Sequence, residues 1–360
     1  MTTSPPRLEL AHICRDYNGR RVVNDLSLKL QEGEVACLLG PSGCGKSTTL
    51  RIAAGVEQQS AGEVHIDGEL VSGSSHHAPP EARGVGMMFQ DFALFPHLNV
   101  AQNVGFGLKG GYRGNRELVH DLMDRVGLST FAEVYPHLLS GGEQQRVALI
   151  RALAPKPRIV LMDEPFSGLD NRLRDEIRDE TLSILKDEGA AVLLVTHEPD
   201  EAMRMADKIA LMRDGRIVQV GAPYNVYNAP VDCDAAGFFS DINVIRGEVV
   251  GAQVDTPFGA FLAPGHADGT PVEIVIRPQH LKLDFDRQGK GPLPTETDGV
   301  PARGTIKRAR FMGNETLVEM VMDHDGTSLH ATIPAVFLPP KGTPMWLSLR
   351  RDRCFVFPAK

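Results

Sequence analysis

The sequence predicts an α/β domain over residues 1–235, built on a mainly parallel sheet, and a small all-β domain of barrel type over residues 241–360. Three observations carry this expectation. From about Leu8 to Tyr227, short apolar runs alternate with amphipathic, helix-like stretches, the pattern of a parallel sheet covered by helices. One of those runs, Val35–Leu39, leads straight into the glycine-rich stretch Gly40-Pro41-Ser42-Gly43-Cys44-Gly45-Lys46-Ser47-Thr48. After about Ser240 the helical texture stops, and β-like runs recur between Gly/Pro-rich turns such as Gln288 to Pro294.

The glycine-rich stretch has the spacing Gly, four residues, Gly-Lys-Ser/Thr, after a strand and before a helix expected to open at Lys46. Successive N–H groups in such a turn point inward and cradle an anion. The helix N-terminus adds positive potential. The first domain therefore reads as a P-loop NTPase. Lys46 is placed to reach the β- and γ-phosphates of a nucleotide, and the Ser47 hydroxyl to hold Mg²⁺. Two further runs end in chemistry: Ile159–Met162 runs into Asp163-Glu164, and Ala191–Val195 into Thr196-His197. Ligands of open α/β sheets gather at the carboxyl ends of strands, so these three ends are expected to converge. Asp163 suits Mg²⁺, directly or through water. Glu164 suits a general base for an attacking water.

Two helices are legible. Asn171 to Asp187 spaces Leu173, Ile177, Thr181 and Leu185 into one buried stripe. Ser140-Gly141-Gly142-Glu143 opens another, which runs to Leu153 with Val147, Ile150 and Leu153 alike in spacing. In the second domain, strands are expected at Val244–Val250, Val272–Ile276, Thr316–Val321, Ser328–Ile333 and Met345–Leu349.

Composition narrows the function. A formal net charge of -8 over 360 residues leaves no basic footprint for nucleic acid, and no polybasic run suits an anionic membrane surface. No apolar stretch approaches the roughly 20 residues that span a bilayer. Met1 to Pro6 lack the basic start and apolar core of a secretion signal. Five scattered cysteines without zinc-like spacing fit a reducing compartment. Cys44 reads as a small tolerated side chain in the loop, although alkylation there would block a nucleotide.

Between the P-loop and the acidic pair lies Leu139-Ser140-Gly141-Gly142-Glu143-Gln144-Gln145-Arg146. This string resembles the signature of ABC-transporter ATPases. Physically it is a second anion site, with a serine and two glycines at a helix N-terminus. The resemblance implies an ABC ATPase with a helical subdomain, ATP and Mg²⁺ as its ligands, and a signature that serves the nucleotide of a second copy. Two chains would sandwich two ATP molecules. The resemblance also places Tyr17 as the aromatic that stacks on adenine. Gln90 looks like the glutamine that reaches Mg²⁺ and the attacking water and reports to membrane subunits. His197 looks like the switch histidine at the γ-phosphate. Ser167-Gly168-Leu169-Asp170 looks like the loop that bridges the two copies, with Gly168 where the family usually has Ala, which predicts a looser turn.

The resemblance covers residues 7–240 most strongly. In the tail, Ile276 to His280 and Arg308 to Leu317 look like the OB-like, TOBE-type domain of importer ATPases for sugars, polyamines, ferric iron, sulfate or molybdate. Phe92 to Leu98 and Arg151 to Pro155 look most like ferric-iron importers; polyamine, sugar or another small solute is the alternative. The implied setting is peripheral, at the cytoplasmic face of the inner membrane. Separate permease subunits and, through them, an extracytoplasmic solute-binding protein would be partners. Two rival classes are disfavoured. A soluble ATPase acting on nucleic acid calls for basic faces or a second cassette, and a vestigial regulatory module would not keep Lys46, Asp163, Glu164 and His197.

Overall fold

The three apolar runs that end in chemistry, Val35–Leu39, Ile159–Met162 and Ala191–Val195, are buried at every position and lie in strands. The computed structural model describes residues 5–167, 169, 171–295 and 297–359, excluding the side chains of residues 171–173. Two compact units divide between Ala229 and Pro230. In chain order the first contains β1 (Leu8–Tyr17), β2 (Arg20–Leu30), β3 (Val35–Leu39), α1 (Lys46–Ala54), β4 (Ala61–Ile66), β5 (Glu69–Ser72) and β6 (Val85–Met88). There follow α2 (Val100–Val104), α3 (Gly111–Gly114), α4 (Arg116–Arg125), α5 (Gly141–Leu153), β7 (Ile159–Asp163), α6 (Asn171–Asp187) and β8 (Ala191–Thr196). The unit ends with α7 (Pro199–Met205), β9 (Lys208–Arg213), β10 (Arg216–Gly221) and α8 (Pro223–Asn228).

The central sheet runs β10-β9-β3-β8-β7-β6 and is parallel except at the β10 edge. Every position of β3, β7 and β8 is buried, as expected of strands covered on both faces. Their carboxyl ends line one edge, and β6 adds a fourth end that the sequence reading did not count. Gln90 follows it by two residues. A second, antiparallel sheet, β2-β1-β4-β5, shares the core: Leu8, Leu10, Leu26 and Leu28 pack in one cluster with Leu38, Leu161 and Leu193. In α6, Ile177, Thr181 and Leu185 are buried as the stripe predicted; the Leu173 side chain lies outside the described residues.

One buried cation fixes the far end of α1. Arg83 donates to Ala53 O (3.0 Å), a carbonyl that the helix end leaves open, joins the Gly55 N–H on Ile52 O (2.9 Å), and reaches Ala78 O (2.9 Å) in the loop before β6. Burial pulls its pKa down to about 10, so it stays charged at neutral pH against the negative end of the helix dipole. Gly55 closes α1 at φ +80°, and a side chain there would meet Arg83 Nε at 2.4 Å. Arg83→Met is expected to lower stability by about 2–4 kcal/mol in chemical denaturation, because buried carbonyls would lose their donors.

The second unit opens with α9 (Cys233–Phe239), which packs on a strand of that unit. Among the described residues ten strands follow: β11 (Asn243–Glu248), β12 (Gln253–Thr256), β13 (Gly259–Leu262), β14 (Pro271–Ile276), β15 (Leu281–Phe285), β16 (Ala302–Phe311), β17 (Glu315–Met322), β18 (Ser328–Pro334), β19 (Pro344–Leu349) and β20 (Phe355–Pro358). They form sheets β11-β14-β20, β12-β13 and β15-β19-β16-β17-β18 around a core that includes Phe258, Phe261, Ile306 and Leu347. The edge strands β15 and β18 approach one another, so the five-stranded sheet curls. The sequence reading missed β16 because its outward positions carry Arg303, Lys307, Arg308 and Arg310, which mask the inward Ala302, Gly304 and Ile306. No helix among the described residues is long and apolar enough to cross a membrane.

Candidate active site

The P-loop sits between β3 and α1, and its shape depends on two glycines. Gly45 has φ 106°, and a side chain there would lie 2.6 Å from Val22 O. At Gly40, a Cβ would lie 2.2 Å from Met212 O on β9. Lys46 is only 4% exposed. Its Nζ donates to Gly40 O at 2.7 Å and Pro41 O at 3.0 Å, which folds the stem across the loop. Ser42, Gly43, Gly45, Lys46, Ser47 and Thr48 line one cleft with Val22 and Glu164.

From the next strand but one, Asp163 meets α1. The Ser47 hydroxyl donates to Asp163 Oδ1 at 2.8 Å. Asp163 is 2% exposed, and burial pushes its pKa up; the Ser47 bond, Arg51 and Lys46 pull it back, while Glu164 adds to the rise. A carboxylate so placed gains from a hard cation, and a serine hydroxyl is an ordinary ligand for one. Among the described residues, no group of three or more His, Cys, Asp or Glu is placed to hold a metal. A divalent ion here would therefore complete its shell with phosphate oxygens and water.

Glu164 is the centre of the second cluster. Its φ is 45°, a left-handed conformation that costs a non-glycine residue on the order of 1–3 kcal/mol. Its N–H donates to Val195 O on β8 at 2.9 Å, which holds the turn against the strand that delivers His197. His197 Nδ1 lies 3.1 Å from Glu164 Oε1, and Gln90 Nε2 donates to Oε2 at 3.4 Å. The carboxylate is thus flanked on both oxygens, at the mouth of the glycine cradle. His197 is 44% exposed and Glu164 16%, so the cluster opens to one side.

The remaining candidates lie apart. Tyr17 ends β1, with Arg15 4.6 Å from its ring centre and its hydroxyl on Glu57, so one face of the ring is taken. Ser140 caps α5 in a reciprocal box: Glu143 Oε2 accepts from Ser140 N–H (2.7 Å) and Oγ (2.8 Å), and Ser140 Oγ accepts from Glu143 N–H. None of Ser140, Gly141, Gly142 or Glu143 lines the cleft. A Cβ at Gly141 would instead lie 3.7 Å from Leu169. Ser167 donates to Glu164 O at 2.9 Å. Leu169 is buried, while Gly168 and Asp170 lie outside the described residues. Cys44 is buried and burial raises its thiol pKa, which makes it a poor target for alkylation.

The ABC transporter profile matches residues 23–167, and the TOBE domain profile residues 274–357. The putrescine transport ATP-binding protein PotG of Escherichia coli (strain K12) is 40% identical over 354 residues, 95% of this chain and 91% of that protein. This chain belongs to the ABC transporter ATP-binding proteins. Another relative, the Fe(3+) ions import ATP-binding protein FbpC 2 of Haemophilus influenzae (strain ATCC 51907 / DSM 11121 / KW20 / Rd), is 43% identical over 328 residues, 88% of each chain. A solved dimeric structure of the ATP-binding cassette MJ0796, in a post-hydrolysis state bound to ADP and Pi, is 30% identical with a TM-score of 0.54 and covers 60% of this chain and 98% of that one. The ABC protein described here is accordingly an ATP-binding, ATP-hydrolysing importer subunit with a C-terminal TOBE domain.

Sequence reasoning missed one link in this ABC ATPase. Arg174 on α6 donates to Glu198 Oε2 at 2.7 Å and to Leu169 O at 2.9 Å. It thereby joins the loop at Ser167 to the turn that carries His197. An arginine on a charged helix face carries no signal of such a role, since solvated and bridging arginines look alike in sequence.

Proposed function

We propose that this chain hydrolyses Mg²⁺-ATP as one half of a homodimer that drives import of a small cation. The observation that carries the chemistry is the Glu164 carboxylate, held by His197 and Gln90 at the mouth of the P-loop. In this reading the loop N–H groups and Lys46 hold the phosphates, and Ser47, Asp163 and Gln90 hold the magnesium ion, which supplies charge neutralisation. Glu164 takes a proton from the attacking water. The water oxygen bonds to the γ-phosphorus, the bond to the bridging oxygen breaks, and ADP leaves. His197 steadies the γ-phosphate and orients Glu164. Positioning and charge stabilisation do most of the work. Tyr17 offers its remaining ring face to adenine.

Ser140, Gly141 and Gly142 stand outside their own chain's cleft, which supports a role at a second copy's nucleotide, with Ser167 to Asp170 between the copies. Closure would pass through Gln90 and the following segment to permease subunits at the cytoplasmic face of the membrane, and an extracytoplasmic binding protein would deliver the solute. Ser140→Arg is expected to cut hydrolysis by about 100-fold or more while monomer ATP affinity holds. Loss of monomer affinity would place the signature in its own subunit.

Ferric iron is the first reading for the solute, from the likeness around Phe92 to Leu98 and the Haemophilus relative. A polyamine is the second, favoured by the Escherichia coli relative that spans 95% of the chain. The experiment is reconstitution with the cognate permease and binding protein, comparing ferric iron and putrescine as stimulants of hydrolysis. Stimulation by neither overturns the small-cation reading.

A further inference from the structure

Just past Gln90, Phe92 and Ala93 are consecutive non-glycine residues with φ of 59° and 44°. The left-handed region disfavours any side chain, and such residues persist only where their surroundings over-determine them. Much of that determination comes from one guanidinium. Arg151, near the C-terminus of α5, donates from Nη2 to Phe92 O at 2.8 Å and from Nη1 to Ala93 O at 2.7 Å. Its guanidinium carbon lies 5.6 Å from the centre of the Phe95 ring. A second fastener comes from the short helix that follows the loop directly. Fully buried Asn103 on α2 donates to Phe95 O, Leu98 O and Asn99 O, and its Oδ1 accepts from Phe95 N–H. Asn103 shapes the segment; Arg151 ties it to a different element.

That element is the helix whose N-terminus carries Ser140, Gly141 and Gly142. At 1.5 Å per residue, the capping serine and Arg151 are about 16 Å apart along one rigid rod. We infer that Arg151 is a positioning residue that locks the Gln90 loop to the signature helix, so that a chain's own phosphate site and the surface it offers to a second copy are set together. This rests on the two-copy reading above. The tie uses the fork, because each carbonyl is held by a different nitrogen of one rigid plane; a lysine at the same position offers a single nitrogen on a flexible stem and cannot reproduce that spacing. With the tie cut, the loop relaxes toward right-handed backbone, and Gln90 leaves its place beside Glu164.

The test is steady-state hydrolysis of Mg²⁺-ATP by the purified chain. Arg151→Met is expected to lower kcat by roughly 10- to 100-fold. KM for ATP should stay within about twofold, because the phosphate loop is untouched. The Hill coefficient should fall toward about 1 as the two sites lose their coupling. Adding Ala93→Gly removes the side-chain penalty at a left-handed position and is expected to restore about a third or more of the lost kcat. A mere loss of packing would not be rescued by a glycine in another element. Should the methionine variant fail to fold, Arg151→Lys keeps the charge and loses the fork, with the same kcat loss and the same glycine rescue expected. A kcat within about twofold of wild type, a KM that climbs as kcat falls, or no recovery with glycine overturns the tie. Ser140→Arg, run alongside, separates the failures: if it keeps turning over, the two-copy reading and the Hill expectation fall, while the glycine rescue still decides whether Arg151 sets the loop.

Discussion

Glu164→Gln is expected to cut ATP hydrolysis by about 10²- to 10⁴-fold, the usual contribution of a positioned general base, while ATP binding survives. The substitution is nearly isosteric, and glutamine meets the same left-handed backbone that Glu164 already occupies. The N–H bond to Val195 O and the seat of Ser167 on Glu164 O are main-chain features and should persist. What is lost is the capacity to accept a proton between His197 and Gln90. On the proposed assembly, a nucleotide-loaded pair of chains should then accumulate. Phosphate release under single-turnover conditions, with sedimentation in the presence of ATP, checks both. Turnover within about tenfold of wild type would remove Glu164 from the base role.

Lys46→Ala is expected to weaken ATP binding by about 10- to 150-fold, the equivalent of one charge-assisted hydrogen bond of roughly 1.5–3 kcal/mol. Hydrolysis should fall further, since the γ-phosphate gathers charge in the transition state. Lys46→Met separates charge from packing, because the stem is buried and methionine fills similar space. Lys46→Arg should not rescue. Its planar fork is too broad for a slot in which one ammonium already bonds Gly40 O and Pro41 O. Calorimetric titration with ATP and a coupled phosphate assay give the two numbers. Unchanged affinity and turnover in the alanine variant would refute the loop assignment.

Much of this was readable in one dimension because its signals are local. A P-loop is a run of adjacent residues at a fixed spacing and is legible as such, although the crowding that demands its glycines comes from Val22 O and Met212 O elsewhere in the chain. Likewise, Ser140 and Glu143 form their capping box three residues apart. The α6 stripe is local periodicity, which is why Asn171 to Asp187 could be delimited at both ends. The C-terminal unit was read less completely. Four-residue strands such as β12 and β13 form a two-stranded sheet with little periodicity to read, and charged outward positions hide β16.

By itself, then, the chain's order of residues determined an ATP-hydrolysing cassette of the ABC type, an all-β partner unit, and the identities of the groups that gather at the strand ends. Only the tertiary structure decided how those groups meet. It set Glu164 between a histidine and a glutamine contributed by two other strand ends, hung Asp163 on Ser47, seated Arg83 on the end of α1 and Arg151 on two left-handed peptides. The reason is physical. Helix caps, helical stripes and strand runs answer mainly to near neighbours along the chain, whereas a guanidinium finds its carbonyl, or a carboxylate its imidazole, only after parallel strands far apart in sequence have been brought side by side by burial of their apolar faces.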